Sequence, residues 1–274
     1  MFDATPSTSS HALMQDRAFA VALRKCGEAP VTLPSGLTLL KRRVAGIPIL
    51  MLPRVSPPAD LRAQLAQVGQ QRLPLILSPE LPCKMPLALR VSPARTLLQI
   101  DLSSAQKERR AALHQNWRHQ LGQAENGPLR VLYRPLTPDH ILLALERAQA
   151  LSRRYQSWPV TLTAAFAKIA PDQTHLFTAL LRGHPVAHML FLSHGNRATY
   201  HIGHSTDTGR KSHAHNLLLW DAMNQLAQRG ISSLDLGPTT TPNIDRFKRR
   251  AGAQPQTTGG TWLRWSPLAR ARRT

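Results

Sequence analysis

The stretch ISSLDLGPTTTPNIDRFKRRAGA, Ile231 to Ala253, decides how the rest of the chain folds. Ser232 to Leu236 reads as a short strand, with Leu234 and Leu236 on one face and Asp235 on the other. Gly237-Pro238 ends that strand, and a short helix over Asp245–Arg250 returns with Phe247, Lys248, Arg249 and Arg250. A carboxylate inside a sheet needs a hydrogen-bond partner or a substrate amine. The chain after Pro238 crosses the C-terminal end of the strand, where open α/β sheets hold their ligands. Two readings stay open at this corner. Asp235 is either a structural hydrogen-bonding or ion-pairing group or a group facing substrate, and Arg249 and Arg250 are either an exposed basic face or part of the same site.

Working backwards, HAHNLLLWDAMNQLAQRG carries Leu219, Ala222, Met223 and Leu226 at helical spacing and stops at Gly230. A helix that feeds a strand directly is a crossover, so the strand at Asp235 runs parallel to a neighbour. Before the helix come three strands, THLFTALLRG, HPVAHMLFLSHG and RATYHIGHS, joined at Arg182–Pro185 and Ser193–Asn196. Turn residues at both joints make them an antiparallel meander. The fold class is therefore α/β in the α+β sense, a mixed, mainly antiparallel sheet flanked by helices.

Earlier elements follow the same reading. TPDHILLALERAQALSRRYQ is a helix capped by Thr137, with Leu142, Leu145 and Ala148 on its apolar face, and TAAFAKIA is a shorter helix. LRVLYRP is a strand, and AQKERRAALHQNWRHQLGQAE is one helix running to Asn126-Gly127. Pro79, Pro82, Pro86 and Pro93 punctuate a passage that places a boundary near residue 95. The expected divisions are a loose 1–10, an N-terminal subdomain over 11–95, a main domain over 96–265 and a basic tail over 266–274. Within 11–95 the sequence gives a helix ending at Gly27, two strands about Ala45-Gly46, a helix with Leu61, Leu65 and Val68, and the strand LPLILSPE.

Thirty-five Lys and Arg against 15 Asp and Glu leave a formal charge of +20 over 274 residues. Such a balance attracts nucleic acid, nucleotides, CoA phosphates and anionic lipid surfaces, or simply keeps the surface soluble. Aromatic residues at 5% argue against a base-stacking platform. Cys26 and Cys83 are far apart and read as reduced thiols of a cytoplasmic protein. The N-terminus lacks the basic and apolar regions of a signal peptide, and no apolar run reaches the ~18 residues of a membrane span.

The histidines come in pairs, His184/His188, His201/His204 and His213/His215, on strands and turns without a neighbouring Cys. In extended chain His184 and His188 stand about 13 Å apart, so the pattern is not a zinc site and no metal is expected. There is no GxSxG elbow and no Walker loop. The segment HSTDTGRKSHAHN is different, because it leads into a helix N-terminus with Arg210, Lys211, His213, His215 and Asn216. Backbone N–H groups and cations there suit an anion, although a solvated basic loop reads the same way.

The order of these elements, ending in LDLGP and then NIDRFKRRAGA, resembles the GNAT superfamily, and within it the FemAB-type, peptidoglycan-bridge-forming-like acyltransferases. Phe247-Lys248-Arg249-Arg250-Ala251-Gly252 is similar to that group's FKxxFG segment, and the resemblance covers residues 100–262. Residues 11–95 resemble a shortened GNAT-like half. Two features depart from the pattern: Arg210–Ala214 lacks the glycines of the pyrophosphate loop, and Pro238 replaces the second strand-end glycine.

The resemblance implies an enzyme, an N-acyltransferase that uses acyl-CoA or aminoacyl-tRNA as co-substrate with no tightly bound cofactor. An acceptor amine attacks the acyl carbonyl directly. It further implies that Lys248 faces the donor or the tetrahedral intermediate, that Asp235 orients the amine, and that His201 or Tyr200 receives its proton. Arg210, Lys211, His213, His215 and Asn216 would hold the donor's phosphates. Partners would be an anionic donor, tRNA among them, with membrane contact only from the surface. The alternative is a catalytically inactive GNAT-fold protein that binds nucleic acid or another polyanion.

Overall fold

A computed structural model of the protein describes residues 11–268, which fall into two units. One is built from Met14–Thr96 and residues 257–268, the other from Leu97–Gln256 and residues 11–13. The expected loose segment over 1–10 and most of the expected basic tail, 269–274, lie outside the described residues.

In chain order the first unit holds α1 (Arg17–Lys25), β1 (Val31–Thr32), β2 (Thr38–Val44), β3 (Ile47–Pro53), α2 (Leu61–Gln67), β4 (Leu75–Ser78) and β5 (Leu89–Ser92). The second holds β6 (Thr96–Asp101), α3 (Gln106–Ala112), α4 (Gln115–Glu125), β7 (Leu129–Arg134), α5 (Ile141–Arg153) and α6 (Val160–Ile169). It continues through β8 (Thr174–Leu181), β9 (His184–His194), β10 (Arg197–Ser205), α7 (Asp207–Lys211), α8 (Ala214–Gln228), β11 (Ser233–Pro238), α9 (Pro242–Arg250) and β12 (Gln254–Thr257). A last strand, β13 (Thr261–Arg264), belongs to the first unit's sheet.

That first sheet runs β1-β2-β3-β4-β13-β5. Ala45 and Gly46, at φ of 47° and 78°, make the tight turn between β2 and β3. Both central residues having positive φ matches the twist of a two-residue hairpin. Leu39, Leu50, Leu52, Leu75 and Leu77 bury one face of the sheet with Leu61 and Leu65 of α2.

The second sheet runs β12-β6-β11-β10-β9-β8-β7. The meander is antiparallel throughout, and β11 pairs parallel with β10, as a crossover through α8 requires. Between β6 and β10, β11 is an inner strand, and Leu234 and Leu236 enter a core with Phe177, Met189 and Phe191. Trp117 and Leu121 of α4 and Leu218, Leu219 and Leu226 of α8 cover that core.

Several elements differ from the sequence reading. Helix α5 is capped by His140, whose Nδ1 accepts the Leu142 N–H, and not by Thr137, and α9 starts at Pro242 rather than at Asp245. The single helix expected over 105–125 breaks at His114, whose backbone is extended and whose Nδ1 accepts the Asn116 N–H. A side chain that caps a new helix competes with continuing the old one. On α5 the buried face runs through Leu142, Leu143, Glu146 and Ala150, whereas Ala148 is exposed. The apolar stripe is rotated so that an acid lies within it.

Candidate active site

Strands β10 and β11 pair at Arg197↔Ser233, Ala198↔Leu234 and Thr199↔Asp235, and then both continue. Beyond that point β10 stays with β9 as far as Ser205↔Ala187, and β11 stays with β6 as far as Pro238↔Leu97. Each strand carries an irregularity where they part, between Tyr200 and Ile202 on β10 and between Asp235 and Pro238 on β11. A bulge bends a strand and increases its twist, so the two parallel strands diverge at their C-terminal ends. The wedge so formed occupies the position where sheets with parallel strands hold ligands.

Four of the expected residues border the split. Asp235 is buried, and its Oδ1 accepts the Gly237 N–H at 2.7 Å. That bond supports the left-handed turn at Gly237, φ 80°, which Pro238 follows. Lys248 is buried on α9 and its Nζ donates to the Pro238 carbonyl at 3.0 Å. Burial pushes the Lys248 pKa down, and the carboxylates of Asp245 and Asp235 oppose that fall. Asp235 and Lys248 thus grip the same Gly-Pro corner from its two sides.

On β10, His201 sits at the irregularity. Its Nε2 lies 2.9 Å from the Thr163 hydroxyl and its ring 4.5 Å from that of Trp158. Burial lowers its pKa to about 4, so the imidazole is neutral near pH 7. The Tyr200 hydroxyl lies along the strand over Gly203, where an added Cβ would approach it to 1.7 Å. Burial, with Glu146 and Tyr155 nearby, pushes the Tyr200 phenol up and keeps it protonated.

The proposed phosphate-holding residues are placed less uniformly. Thr206 caps α7 by accepting the Gly209 N–H, and the Arg210 guanidinium is engaged by Asp207 and the Ser205 carbonyl. Lys211 is exposed, and His213 begins α8 in a left-handed conformation, φ 55°. His215 and Asn216 turn inward instead. His215 Nε2 lies 3.1 Å from the His204 carbonyl, and the buried Asn216 donates to Gln120 at 3.4 Å. Of the five, Arg210 and Lys211 end the short helix α7 that follows β10, and His213 stands at the N-terminus of α8.

Sequence reading missed a polar cluster on the α5 side of β10. The buried Glu146 accepts the Tyr155 hydroxyl at 2.9 Å. Gln149 Nε2 donates to the Tyr155 oxygen at 3.0 Å and to the Gly203 carbonyl at 3.1 Å. Burial raises the Glu146 pKa, against the pull of Tyr155 and Arg153. The signal was present: Glu146 follows Leu142 by four and Leu143 by three, which puts it on their helix face.

A second row of polar groups crosses the meander. Tyr133 hydroxyl, His175 and Ser193 hydroxyl are linked at 2.9 Å each, and His175 and Ser193 are buried. Burial, with Arg229 adding to it, lowers His175 to about 4. This line satisfies buried polar atoms and offers no accessible nucleophile. Among the described residues no group of three or more His, Cys, Asp or Glu is placed to hold a metal.

The sequence model of the acetyltransferase (GNAT) domain matches residues 107–249, which span every element from α3 to α9 that borders the split. The chain belongs to this GNAT acetyltransferase family. The fold is shared with the FemX crystal structure at a TM-score of 0.73 and 10% identity, over 95% of this chain and 94% of FemX. It is shared also with the C-terminal domain of a putative lysylphosphatidylglycerol synthetase from Agrobacterium fabrum, at 0.61 and 13%, over 93% and 89%. A tandem GNAT protein from the clavulanic acid biosynthesis pathway aligns at 0.51 and 12%, over 92% and 89%. No curated protein matches the sequence. The link to the FemAB-like group is therefore one of fold.

Proposed function

We propose that the protein is an N-acyltransferase that moves an acyl or aminoacyl group from acyl-CoA or aminoacyl-tRNA to an amine. The observation that carries this reading is the β10/β11 split, bordered on one strand by Tyr200 and His201 and on the other by the Asp235–Lys248 corner. The amine nitrogen attacks the carbonyl carbon, and a C–N bond forms as the thioester C–S or the ester C–O bond breaks. The ammonium proton leaves to a base, and the departing thiolate or alkoxide takes up a proton. Catalysis of this kind rests on holding the reactants in line and stabilising the oxyanion.

In this reading neutral His201 accepts the amine's proton, and the protonated Tyr200 hydroxyl donates toward the leaving group or oxyanion. Lys248 supplies positive charge at the strand end, and Asp235 sets the Gly237-Pro238 corner and attracts the amine. Lys211, His213 and Arg210, with the first turn of α8, hold donor phosphates. His215 and Asn216 act by fixing that turn. The donor is anionic in both forms, which suits a chain of +20.

A second reading has one observation in its favour. Asp235 and Lys248 each already have a backbone partner. A corner held together in this way is equally what a GNAT-fold protein without activity, holding a polyanion on its basic surface, would display. Transfer of a labelled acyl group from a panel of CoA thioesters and charged tRNAs to amines separates the two. The enzyme reading expects transfer that Lys248→Met reduces by about 100-fold or more, the scale of an oxyanion-stabilising group. Donor-independent binding with no transfer in the wild-type chain would favour the second.

A further inference from the structure

The first unit carries a concentration of exposed apolar side chains that its own sheet does not explain. Among the described residues strand β5 is an edge strand, paired with β13 alone. Leu89 opens it at 67% exposure and Leu87, two residues before, is 88% exposed. The antiparallel register Leu263↔Leu89 brings the residue before β5 and the residue after β13 to the same sheet end. There Trp265 is 56% exposed and Leu268, three residues on, is 93% exposed. The Trp265 indole N–H donates to the Arg72 carbonyl at 3.1 Å, so the ring is held in place while most of its surface faces water. Leu87 is itself held at φ 58°, a left-handed conformation that a leucine seldom adopts.

Charge accompanies these side chains. Residues 81–96 and 257–268 contain Lys84, Arg90, Arg95 and Arg264 and no Asp or Glu. Lys84, Arg90 and Arg95 are exposed, as is Arg72 beneath the tryptophan. A second copy of the chain would set these cations against their own kind, which disfavours a self-interface. A nucleic acid would satisfy the cations and leave the leucines in water. An anionic bilayer accommodates both, since leucine side chains enter the acyl boundary, tryptophan rests at the headgroup level and Lys and Arg meet lipid phosphates.

We propose that the sheet end formed by Leu87, Leu89 and Trp265, with Lys84 and Arg90, docks peripherally on an anionic lipid bilayer. Nothing in this inference depends on the acyltransferase reading. No described helix is long and apolar enough to cross a membrane, so the attachment is to the surface and is reversible.

The test is co-sedimentation of the full chain with vesicles of phosphatidylcholine alone and of phosphatidylcholine mixed with phosphatidylglycerol. Wild type is expected to pellet with the anionic vesicles and to bind neutral ones about tenfold or more weakly. Leu87→Ser with Leu89→Ser, and separately Lys84→Glu with Arg90→Glu, are each expected to reduce binding by about tenfold; melting should be unchanged for the exposed leucine pair and lowered slightly by Arg90→Glu, whose guanidinium lies 5.8 Å from the Trp262 ring centroid. A dye attached to Cys83, itself exposed, in a Cys26→Ser background should shift to the blue on binding. The proposal is overturned if wild type does not pellet, or if either pair of substitutions leaves binding intact. It is equally overturned if wild type is a dimer in solution that Leu87→Ser with Leu89→Ser dissociates.

Discussion

Lys248 and Glu146 are the two side chains whose burial most needs a reason. An ammonium buried at a strand end is stabilised by the Pro238 carbonyl and by the nearby Asp235 and Asp245. Lys248→Met keeps the aliphatic stem but leaves that carbonyl without its donor. It should cost about 1–3 kcal/mol in urea unfolding, the range for orphaning a buried polar group. Glu146 has the opposite consequence. Its folded pKa lies above the unfolded value because burial penalises the carboxylate, so the unfolded chain releases the proton more readily. Stability is then lost as pH rises from the unfolded pKa through the folded one. Glu146→Gln, which still accepts the Tyr155 hydroxyl, should raise the melting temperature at pH 7, and the gain should vanish at a pH below the unfolded value. A gain that persisted in acid would show that the carboxylate's charge is not the cause. Gly203→Ala drives a methyl into the Tyr200 hydroxyl and ring and should cost about 1–3 kcal/mol.

Elements whose sequence repeated one period over a long run were legible, and those decided by one polar side chain were not. The meander, the crossover α8 and the inner strand β11 followed from alternation, turn residues and Gly230. The break between α3 and α4 depends on His114 accepting one N–H, which no period displays. The face of α5 is not fixed by spacing, because Leu145 and Ala148 fit a stripe with Leu142 as well as Leu143 and Glu146 do. The basic residues of α3 likewise conceal a buried one. Arg109 donates to the Leu102 carbonyl at 3.0 Å and to Asn224 of α8 at 3.1 Å. Arg109→Ala should therefore cost about 2–4 kcal/mol, several times an exposed arginine's effect, measurable by urea unfolding against Arg118→Ala. For the candidate site, Asp235 and Lys248 could be read together because one stretch carries the strand, the Gly-Pro break and the returning helix, whereas Tyr200 and His201 came from the resemblance. The partners Thr163, Trp158, Gln149 and Tyr155 come from other elements, and spacing alone could not assemble them.

At the scale of the whole molecule, titration is set by the histidines of the second sheet. His175 and His188 are buried and neutral, each lowered to about 4 chiefly by burial. His140, His204 and His215 add repulsion around His188, which the Thr178 hydroxyl meets at 2.9 Å. With folded values below the unfolded ~6.5, the unfolded chain binds more protons between the two. Their stabilising effect is complete above the unfolded value and is lost as pH falls toward about 4, by about 3 kcal/mol for each imidazole. Unfolding free energy followed from pH 7 to pH 4 should fall accordingly, and His175→Phe with His188→Leu should flatten the slope. In the proposed function the divergence of β10 and β11 receives the acyl donor. Hydrogen exchange with and without CoA thioesters and aminoacyl-tRNA tests it most directly. Slowed exchange over residues 200–205, 209–216 and 237–241 is expected with one donor class. Exchange unchanged there with every donor, or slowed only in the first unit, would contradict it.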